Sequence, residues 1–346
     1  MPRESRACDR LGVIEDFSPH PPRALEPSGV AVWQQLIRDQ HGLLDTDQLR
    51  LLDVGSGVVT ANLEAQRWRR VLPRVYATFT GPLNREARIT GALLYGGAQA
   101  LLSHTTAAEE WRMLTPDLLA PVHITVPYGC SAVSQPPHVV VHRSRAFPHL
   151  KVPTDPARTS KADTVLDLAT SEPDARAGMR RFVALATRGR VPVRELQRRL
   201  EERRPRRYGA ALADALRLLA DGVQSALEQR YACDVEMAHA LPIAKRQQPI
   251  VVDGRTLWED VSYDVIGIPL TVRLDGRAFH DAPEVAFRDR RRDNAAELAG
   301  RYRLVYGWDE VTRDPCGVAA EVAAILHRGD WHGPLRRCGV GCANPP

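Results

Sequence analysis

The order of segments in the last third of the chain is the feature that most restricts the fold. Three segments there combine β-branched and aromatic residues in a pattern typical of strands: RTLWEDVSYDV, IPLTVRLDG and YRLVYGW. Three others carry apolar residues at helical spacing: QSALEQRYACDVE, VAFRDRRRDNAAELAG and DPCGVAAEVAAILHRG. In chain order these segments are helix, strand, strand, helix, strand and helix, which predicts an α/β sheet packed by helices.

The first part of the chain predicts a different structure, in which short helices precede a small β-ribbon. AVWQQLIRDQHG has helical spacing that stops at Gly42, and Asp45 or Thr46 is placed to cap the helix of the next segment, LLDTDQLRLLDV. VVTANLEAQRWRRV resumes the helical spacing, and VLPRVYATF alternates like a strand. Three helices followed by a ribbon predict a winged helix-turn-helix over residues 30–83.

The third helix of such a fold reads the major groove of DNA. The polar residues of that helix, of its exit and of the wing are therefore candidate DNA contacts: Thr60, Asn62, Arg67, Arg69, Arg70 and Arg74. The alternative is a three-helix scaffold whose arginines are only solvated.

Composition and patterning divide the chain into six parts of a mixed α/β (α+β) protein. Residues 1–28 are rich in proline and charge, which predicts a mobile tail. The remaining parts are the winged helix-turn-helix (30–83), a small α/β unit (84–165), a helical connector (166–222), the C-terminal α/β domain (223–330) and a cysteine-containing tail (331–346).

The charge of the chain is mildly positive and is carried almost entirely by arginine. The net charge is +5, the sequence pI is about 9.0, and only three of the 47 basic residues are lysines. Arginine presents a planar fork that suits phosphate oxygens. A GC-rich genome would also favour arginine codons, so the overall bias alone does not decide the function.

The sequence predicts no membrane association. No apolar run reaches the length of about 18 residues that a membrane-spanning helix needs. The N-terminus, MPRESRACDRLGVIEDF, lacks the apolar stretch of a secretory signal. We therefore expect a cytoplasmic protein.

The C-terminal motifs resemble those of the very-short-patch-repair-like branch of the PD-(D/E)XK nuclease superfamily. That branch has a glutamate on its first helix, an aspartate on a strand, a strand ending in Glu-x-Asp-Gly, a nearby histidine, and a helix rich in arginine and aspartate. The matching residues are Glu228, Asp260, Asp275 with Gly276, His280, and Asp289 with Asp293. The resemblance implies a restriction-endonuclease-like domain that uses a divalent cation to cleave DNA.

The winged helix-turn-helix and the small α/β unit together resemble the AbiEi-type antitoxins of type IV toxin–antitoxin systems. This second resemblance implies a DNA-binding regulator with a toxin as protein partner.

The chemistry of phosphodiester cleavage explains why such residues recur. Mg²⁺ prefers carboxylate ligands on rigid elements, stabilises charge on phosphate and activates water. Asp260 and Asp275 are the candidate Mg²⁺ ligands, and Asp264 is a second candidate for the carboxylate of the first strand. His280 is the candidate proton-transfer group, and Glu228 would assist them.

Residue 273 departs from the nuclease pattern, because Arg273 stands where the family has glutamate. Residues 273 and 275 are two positions apart on one strand, so their side chains should share a face. A guanidinium there would pair with the carboxylates and repel a metal ion. We therefore expect cleavage to be impaired or lost, while arginines of the next segment such as Arg288 and Arg291 still bind phosphate.

The cysteines and histidines give no clear metal-binding pattern. Cys338 and Cys342 have C-x3-C spacing and Cys316 precedes them, but the spacing is loose and no clean second pair is present. We expect free thiols or a facultative disulfide rather than zinc at these cysteines. The histidines of the small α/β unit also lack ligand spacing on one face, and we expect no metal there: His104, His123, His138 and His142.

Three functions remain open at this point. The first is an antitoxin-like, DNA-binding regulator whose nuclease-like domain holds phosphate with little or no cutting. The second is an active Mg²⁺-dependent DNA endonuclease. The third is a protein-interaction scaffold that neutralises a toxin and binds no DNA.

Overall fold

The computed structural model describes residues 22, 25–203, 207–220, 225–252, 255–275 and 294–344. The chain forms two compact units. Unit 1 comprises the described residues up to Thr106 together with Pro116–Thr159, and unit 2 comprises Ala107–Thr115 and the described residues from Ser160 onward. Helices and three sheets make up both units, so the predicted mixed α/β class is confirmed. Most of the tail predicted over residues 1–28 lies outside the described residues.

Unit 1 begins with three helices and a three-stranded sheet. The helices are α1 (Pro27–Asp39), α2 (Thr46–Leu51) and α3 (Ser56–Glu64), and the strands are β1 (Leu43–Asp45), β2 (Arg69–Leu72) and β3 (Val75–Ala77). The sheet has the order β1-β3-β2 with antiparallel pairing throughout. Three helices and a ribbon therefore occur in the segments where the sequence predicts them, and β1 is an additional short strand.

The start of α2 follows the predicted capping chemistry. Asp45 Oδ1 accepts a hydrogen bond from the backbone N–H of Gln48 at 2.8 Å. The Gln48 side chain accepts one in return from the backbone N–H of Asp45 at 3.1 Å. The two bonds form a capping box, which makes Asp45 the N-cap of α2.

The end of α3 differs from the prediction, which carried helical spacing as far as residue 71. Gln66 adopts a left-handed backbone conformation with φ of 54°, which a continuous helix does not permit. Trp68 then turns into the core and stacks on Trp33 with ring centroids 5.7 Å apart. Arg69 and Arg70 consequently lie on β2 and not on a helix.

The rest of unit 1 is built around a five-stranded sheet of order β6-β5-β4-β8-β7. Its elements are α4 (Arg85–Gly96), β4 (Leu101–Leu102), the start of α5 (His104–Glu110), β5 (Val122–Pro127), β6 (Val139–Ser144), β7 (Lys151–Val152) and β8 (Arg158–Thr159). Gly96 packs so tightly that an added Cβ would come within 2.8 Å of the side chains of Ala100 and Ile124. A glycine is therefore required where α4 meets the sheet.

Unit 2 begins with four helices around a common apolar core. They are α6 (Lys161–Ser171), α7 (Ala175–Gly189), α8 (Val193–Arg203) and α9 (Gly209–Ala220). Phe182, Leu196 and Leu212 are fully buried among them.

The arginine-rich end of α8 is more than a solvated face, because two of its arginines bind buried carboxylates. Asp163 on α6 is fully buried and lies 3.0 Å from the guanidinium of Arg203 and 3.4 Å from that of Arg199. Arg203 also binds Asp167 at 2.8 Å. Burial raises the pKa of the Asp163 carboxyl above its usual value in spite of these cations.

The second part of unit 2 is a four-stranded mixed sheet with helices. It comprises α10 (Ala226–Arg230) with a π-helical continuation (Tyr231–Met237), β9 (Lys245–Val252), β10 (Arg255–Ser262), β11 (Leu270–Asp275), β12 (Tyr302–Gly307), α11 (Trp308–Arg313) and α12 (Pro315–Arg328). The order is β12-β11-β10-β9, in which β11 and β12 are parallel and the other pairs antiparallel. The sequence does not predict β9, because it mixes polar residues with Pro249; a proline is tolerated there because β9 is an edge strand.

A buried network of charged and phenolic groups lies in the core of unit 2. The guanidinium of Arg246 on β9 binds both carboxylate oxygens of Glu236, and both side chains are 1% exposed. The Tyr263 hydroxyl donates to Glu236 Oε1 at 2.9 Å, and the Tyr231 hydroxyl lies 3.0 Å from that of Tyr263. Burial, followed by the charge of Glu236, raises the pKa of both tyrosines, which keeps them neutral.

No helix among the described residues has the length and apolar character needed to cross a lipid bilayer.

The Arg246–Glu236 pair should contribute strongly to stability because neither partner reaches solvent. We expect Arg246→Met to lower the free energy of unfolding by about 3–5 kcal/mol, since Glu236 would remain buried without its counter-ion. Urea unfolding followed by circular dichroism measures this change. The double variant Arg246→Met with Glu236→Leu should recover much of the loss, because neither charge then remains.

The pair formed by the exposed Arg217 and the half-buried Asp214 on α9 provides the control. Arg217→Met should change the free energy of unfolding by less than about 1 kcal/mol. Equal losses in Arg246→Met and Arg217→Met would contradict the importance assigned to burial.

Candidate functional site

Two of the residues matched to the nuclease motifs, Asp260 and Asp275, lie with Arg273 on one face of the unit 2 sheet. Val261 on β10 pairs with Val272 on β11, and continuing this antiparallel register by one residue sets Asp260 opposite Arg273. Alternation along β11 gives Asp275 the same face as Arg273. The expected shared face agrees with the distance of 3.8 Å between a guanidinium nitrogen of Arg273 and Asp275 Oδ2.

Asp260 has a structural partner in the neighbouring strand. Its Oδ2 accepts a hydrogen bond from the backbone N–H of Leu274 at 2.8 Å. The β10–β11 pairing covers Val261 and Ser262, so the Asp260 side chain supplies an acceptor just beyond the paired residues. One carboxylate oxygen of the candidate metal ligand thus helps to hold β11 against β10.

Arg273 supplies a fixed positive charge on this face. Its side chain is 15% exposed, whereas that of Asp275 is 45% exposed, so the guanidinium is largely covered and the carboxylate reaches solvent. A guanidinium beside Asp275 and opposite Asp260 provides the kind of charge that a divalent cation would otherwise provide. It also repels such a cation.

Glu228 is buried on α10, whose first turn is capped by the Ser225 hydroxyl. Glu228 Oε1 accepts a hydrogen bond from Gln247 Nε2 on β9 at 3.4 Å. Within the described part of the chain, neither cluster of three or more potential metal ligands includes Glu228, Asp260 or Asp275. These three carboxylates therefore form no ready three-ligand cage among the described residues.

The edge strand β12 extends the same face. The parallel register sets Arg303 opposite Thr271 and Val305 opposite Arg273, and both β12 side chains are exposed. Among the described residues, this face accordingly carries two arginines together with two aspartates. The guanidinium groups on this face could donate hydrogen bonds to the oxygens of a phosphate group.

Several predicted site residues cannot be located, because they lie outside the described residues: Gly276, His280, Arg288, Asp289, Arg291 and Asp293. Their roles remain predictions.

In unit 1, the helix predicted to read DNA exposes a face of small residues. Ser56, Thr60 and Ala61 of α3 are exposed. Asn62 is half-buried: its side-chain amide donates to the Val58 carbonyl at 2.8 Å, and its Oδ1 accepts from Arg67 Nε at 2.8 Å. Thr60 thus faces solvent, whereas Asn62 and Arg67 bind each other at the helix end.

The arginines of the β2–β3 hairpin have different surroundings. Arg69 is half-buried, lies over the Phe79 ring and donates to the Gly81 carbonyl at 2.5 Å, so it mainly packs. Arg70 is exposed, with its guanidinium carbon 5.6 Å from the centre of the Tyr76 ring. Arg74 lies in the turn of the hairpin and pairs with the exposed Asp47 of α2 at 2.5 Å. Arg70 and Arg74 therefore present the accessible cations of this ribbon.

A cavity of about 530 Å³ lies in unit 1 beside this hairpin. Its lining includes Arg69, Arg70, Arg88 and His138 among apolar side chains. Arg88 donates to the carbonyls of Leu118 and Ala120, and Arg69 donates to that of Gly81, so both guanidinium groups are engaged with the backbone.

Three of the cysteines gather at one place in unit 2, together with a histidine to which no sequence motif points. One ligand atom from each of His239, Cys316, Cys338 and Cys342 lies within 4.8 Å of all the others. Burial alone raises the pKa of a thiol. At Cys342 this effect is outweighed by hydrogen bonds from the backbone of Cys338 and Asn344 and from the two neighbouring thiols. These hydrogen bonds lower the pKa of Cys342 to about 6. The C-x3-C spacing was the available signal, but nothing in the sequence connects it to His239.

Three histidines of unit 1 also come together, which their spacing in the sequence does not predict because they belong to three different elements. His123 Nδ1 lies 3.0 Å from His142 Nε2, so one ring donates a hydrogen bond to the other. His104 stacks on His142 with ring centroids 3.5 Å apart and planes 12° apart. One ring nitrogen from each of the three histidines lies within 4.8 Å of the others, and the contacts between them are a hydrogen bond and a ring stack.

No protein-family model matches the chain, and a search of curated proteins finds no match to it.

The charge at residue 273 should control whether this face binds a divalent cation. We expect Arg273→Glu to bind Mg²⁺ or Mn²⁺ at least about tenfold more tightly than the unaltered protein, because a carboxylate replaces a repelling cation. Isothermal titration calorimetry measures the two affinities. Arg217→Glu on α9 changes the net charge equally and should leave cation binding unaltered; no gain in Arg273→Glu would mean that the site is wrongly located.

Proposed function

We propose that the protein is a DNA-binding protein whose C-terminal domain binds the phosphate backbone with little or no cleavage. The observation that carries the proposal is the position of Arg273, largely covered, 3.8 Å from Asp275 and opposite Asp260 on a mixed sheet. The positive charge favours phosphate and opposes a catalytic cation at the same point. Arg303 on the neighbouring strand adds a second guanidinium to this face.

Unit 1 would supply the contact to duplex DNA. The order of three helices and a hairpin is compatible with α3 entering the major groove. The small exposed side chains of α3, including Thr60, would allow close approach of the helix to base edges, while Arg70 and Arg74 of the hairpin would contact phosphates. Arg67 and Asn62 would stabilise the end of α3, and Arg69 would support the hairpin from within.

A regulatory, antitoxin-like role in the cytoplasm extends this proposal. It rests on the resemblance of the N-terminal motifs, and it implies a toxin as a protein partner. A scaffold that binds only a toxin would show no DNA affinity, so DNA binding distinguishes the two functions.

Binding of the full chain to a labelled DNA duplex tests the proposal by fluorescence anisotropy over a range of salt concentrations. We expect affinity to fall steeply with salt, because each phosphate neutralised by arginine releases counter-ions. Arg70→Ala and Arg74→Ala should each weaken binding and reduce the slope of log affinity against log salt by about 1. Arg217→Ala removes the same charge from α9 and should change neither quantity.

Plasmid incubation with Mg²⁺ or Mn²⁺ separates a DNA-holding protein from an active endonuclease. We expect supercoiled plasmid to remain intact under conditions in which it is bound. Nicking that disappears in Asp260→Ala and in Asp275→Ala would overturn the non-cleaving assignment in favour of an endonuclease. Absence of salt-sensitive duplex binding would overturn the proposal as a whole.

A further inference from the structure

The last described stretch of the chain, residues 331–344, has neither helix nor strand, yet parts of it are buried. Cys342 and Asn344 are each 5% exposed. A segment without regular secondary structure needs other interactions to hold it in one conformation. Cys338 and Cys342 of this segment lie beside Cys316 of α12 and His239, which follows the π-helical segment.

We propose that His239, Cys316, Cys338 and Cys342 bind one zinc ion, which fixes this C-terminal segment to the rest of unit 2. The Sγ atom of Cys316 lies 3.6 Å from that of Cys338 and 3.7 Å from that of Cys342. A tetrahedral zinc ion with Zn–S bonds of about 2.3 Å sets neighbouring sulfurs about 3.8 Å apart. Both distances from Cys316 therefore already match the spacing of ligands around one ion, and the sulfurs of Cys338 and Cys342 lie within 4.8 Å of each other.

The same distances exclude a disulfide from Cys316 to either of the other cysteines in the described conformation, and all three cysteines are free thiols there. A disulfide would bring two sulfur atoms to about 2.05 Å, far shorter than the 3.6 and 3.7 Å separations. Three thiols at van der Waals separation also leave one without a partner if any two oxidise. A shared cation accounts for all three.

The orientation of His239 completes the ligand set. The ring is fully buried, and Nδ1 lies 3.0 Å from the carbonyl oxygen of Val235. A carbonyl can only accept, so Nδ1 carries the proton and Nε2 keeps its lone pair. Nε2 lies 3.7 Å from the Sγ atom of Cys342, close to the separation of about 3.6 Å expected when zinc lies between them. A histidine held by a backbone carbonyl in this way is typical of zinc sites.

The backbone around the cysteines is held by further hydrogen bonds. Arg176 donates to the Cys338 carbonyl at 2.8 Å, and Arg337 donates to the Cys342 carbonyl at 3.0 Å. Asn344 donates to the Cys316 carbonyl at 3.0 Å. The two guanidinium groups would offset the single negative charge that three thiolates and a neutral histidine leave on a divalent ion.

The ligand types identify the metal and its role. Three thiolates and one imidazole form a soft, nitrogen- and sulfur-only set, which selects zinc over magnesium or calcium. Four protein ligands leave no position for water or substrate, so the ion would be structural. On binding, the three thiols release their protons to solvent and the neutral histidine contributes a lone pair.

Zinc content of the purified full chain tests this proposal. After expression with zinc supplementation and purification under reducing conditions, mass spectrometry of the metal should find about one zinc ion per chain. Cys342→Ser and His239→Ala should lose most of that zinc. Cys130→Ser alters a half-buried thiol of unit 1 and should retain it. His239→Cys keeps four ligands and should also retain zinc, as sites made of four thiolates do.

A second measurement covers the case in which the loss-of-ligand variants fail to fold. Cobalt exchanged into the unaltered protein should give the visible absorption of tetrahedral Co²⁺ and the charge-transfer band of cobalt–thiolate bonds. The proposal is overturned if the unaltered protein holds neither zinc nor tetrahedral cobalt. It is also overturned if the folded protein's mass shows a disulfide among these cysteines, or if Cys342→Ser retains as much zinc as Cys130→Ser.

Discussion

The pairing of β10, β11 and β12 is the constraint on which the C-terminal unit depends. Their register sends Val261, Val272 and Tyr306 into the core and leaves Asp260, Arg273 and Arg303 on the other face. Because side chains alternate with a period of two, a shift of one residue would bury the charges and expose the core. Burial of the apolar residues thus fixes the register of the strands, and this register determines which charged residues share the opposite face of the sheet.

Periodicity was sufficient to predict the segments whose burial is one-sided. β10, β11, β12 and α12 lie where alternation or helical spacing indicates them, and Asp45 caps α2 as its position suggests. The failures have local causes. Edge strand β9 has little apolar patterning, and a left-handed Gln66 ends α3 without any glycine or proline to signal it. The cysteine and histidine clusters were missed because their members are distant in sequence and meet only in the folded chain.

Arginine has three different roles in this protein, which is why its abundance alone could not define a function. Arg246 and Arg203 neutralise buried carboxylates. Arg69 packs against Phe79, and Arg176 holds a backbone carbonyl of the C-terminal segment. Arg70, which is exposed on the hairpin, and Arg273, which is 15% exposed beside Asp275, are the arginines proposed to contact phosphate. Burial and partner geometry, which a sequence does not display, separate the structural arginines from those able to bind a ligand.

The stack of Trp33 on Trp68 gives unit 1 an optical property of its own. Two indole rings 5.7 Å apart and 21° from parallel couple their electronic transitions, which produces a paired circular-dichroism band that helices and strands do not give. The other tryptophans, Trp111, Trp258, Trp308 and Trp331, belong to unit 2. The loss of that band would therefore report the melting of unit 1 within the intact chain, with no label attached.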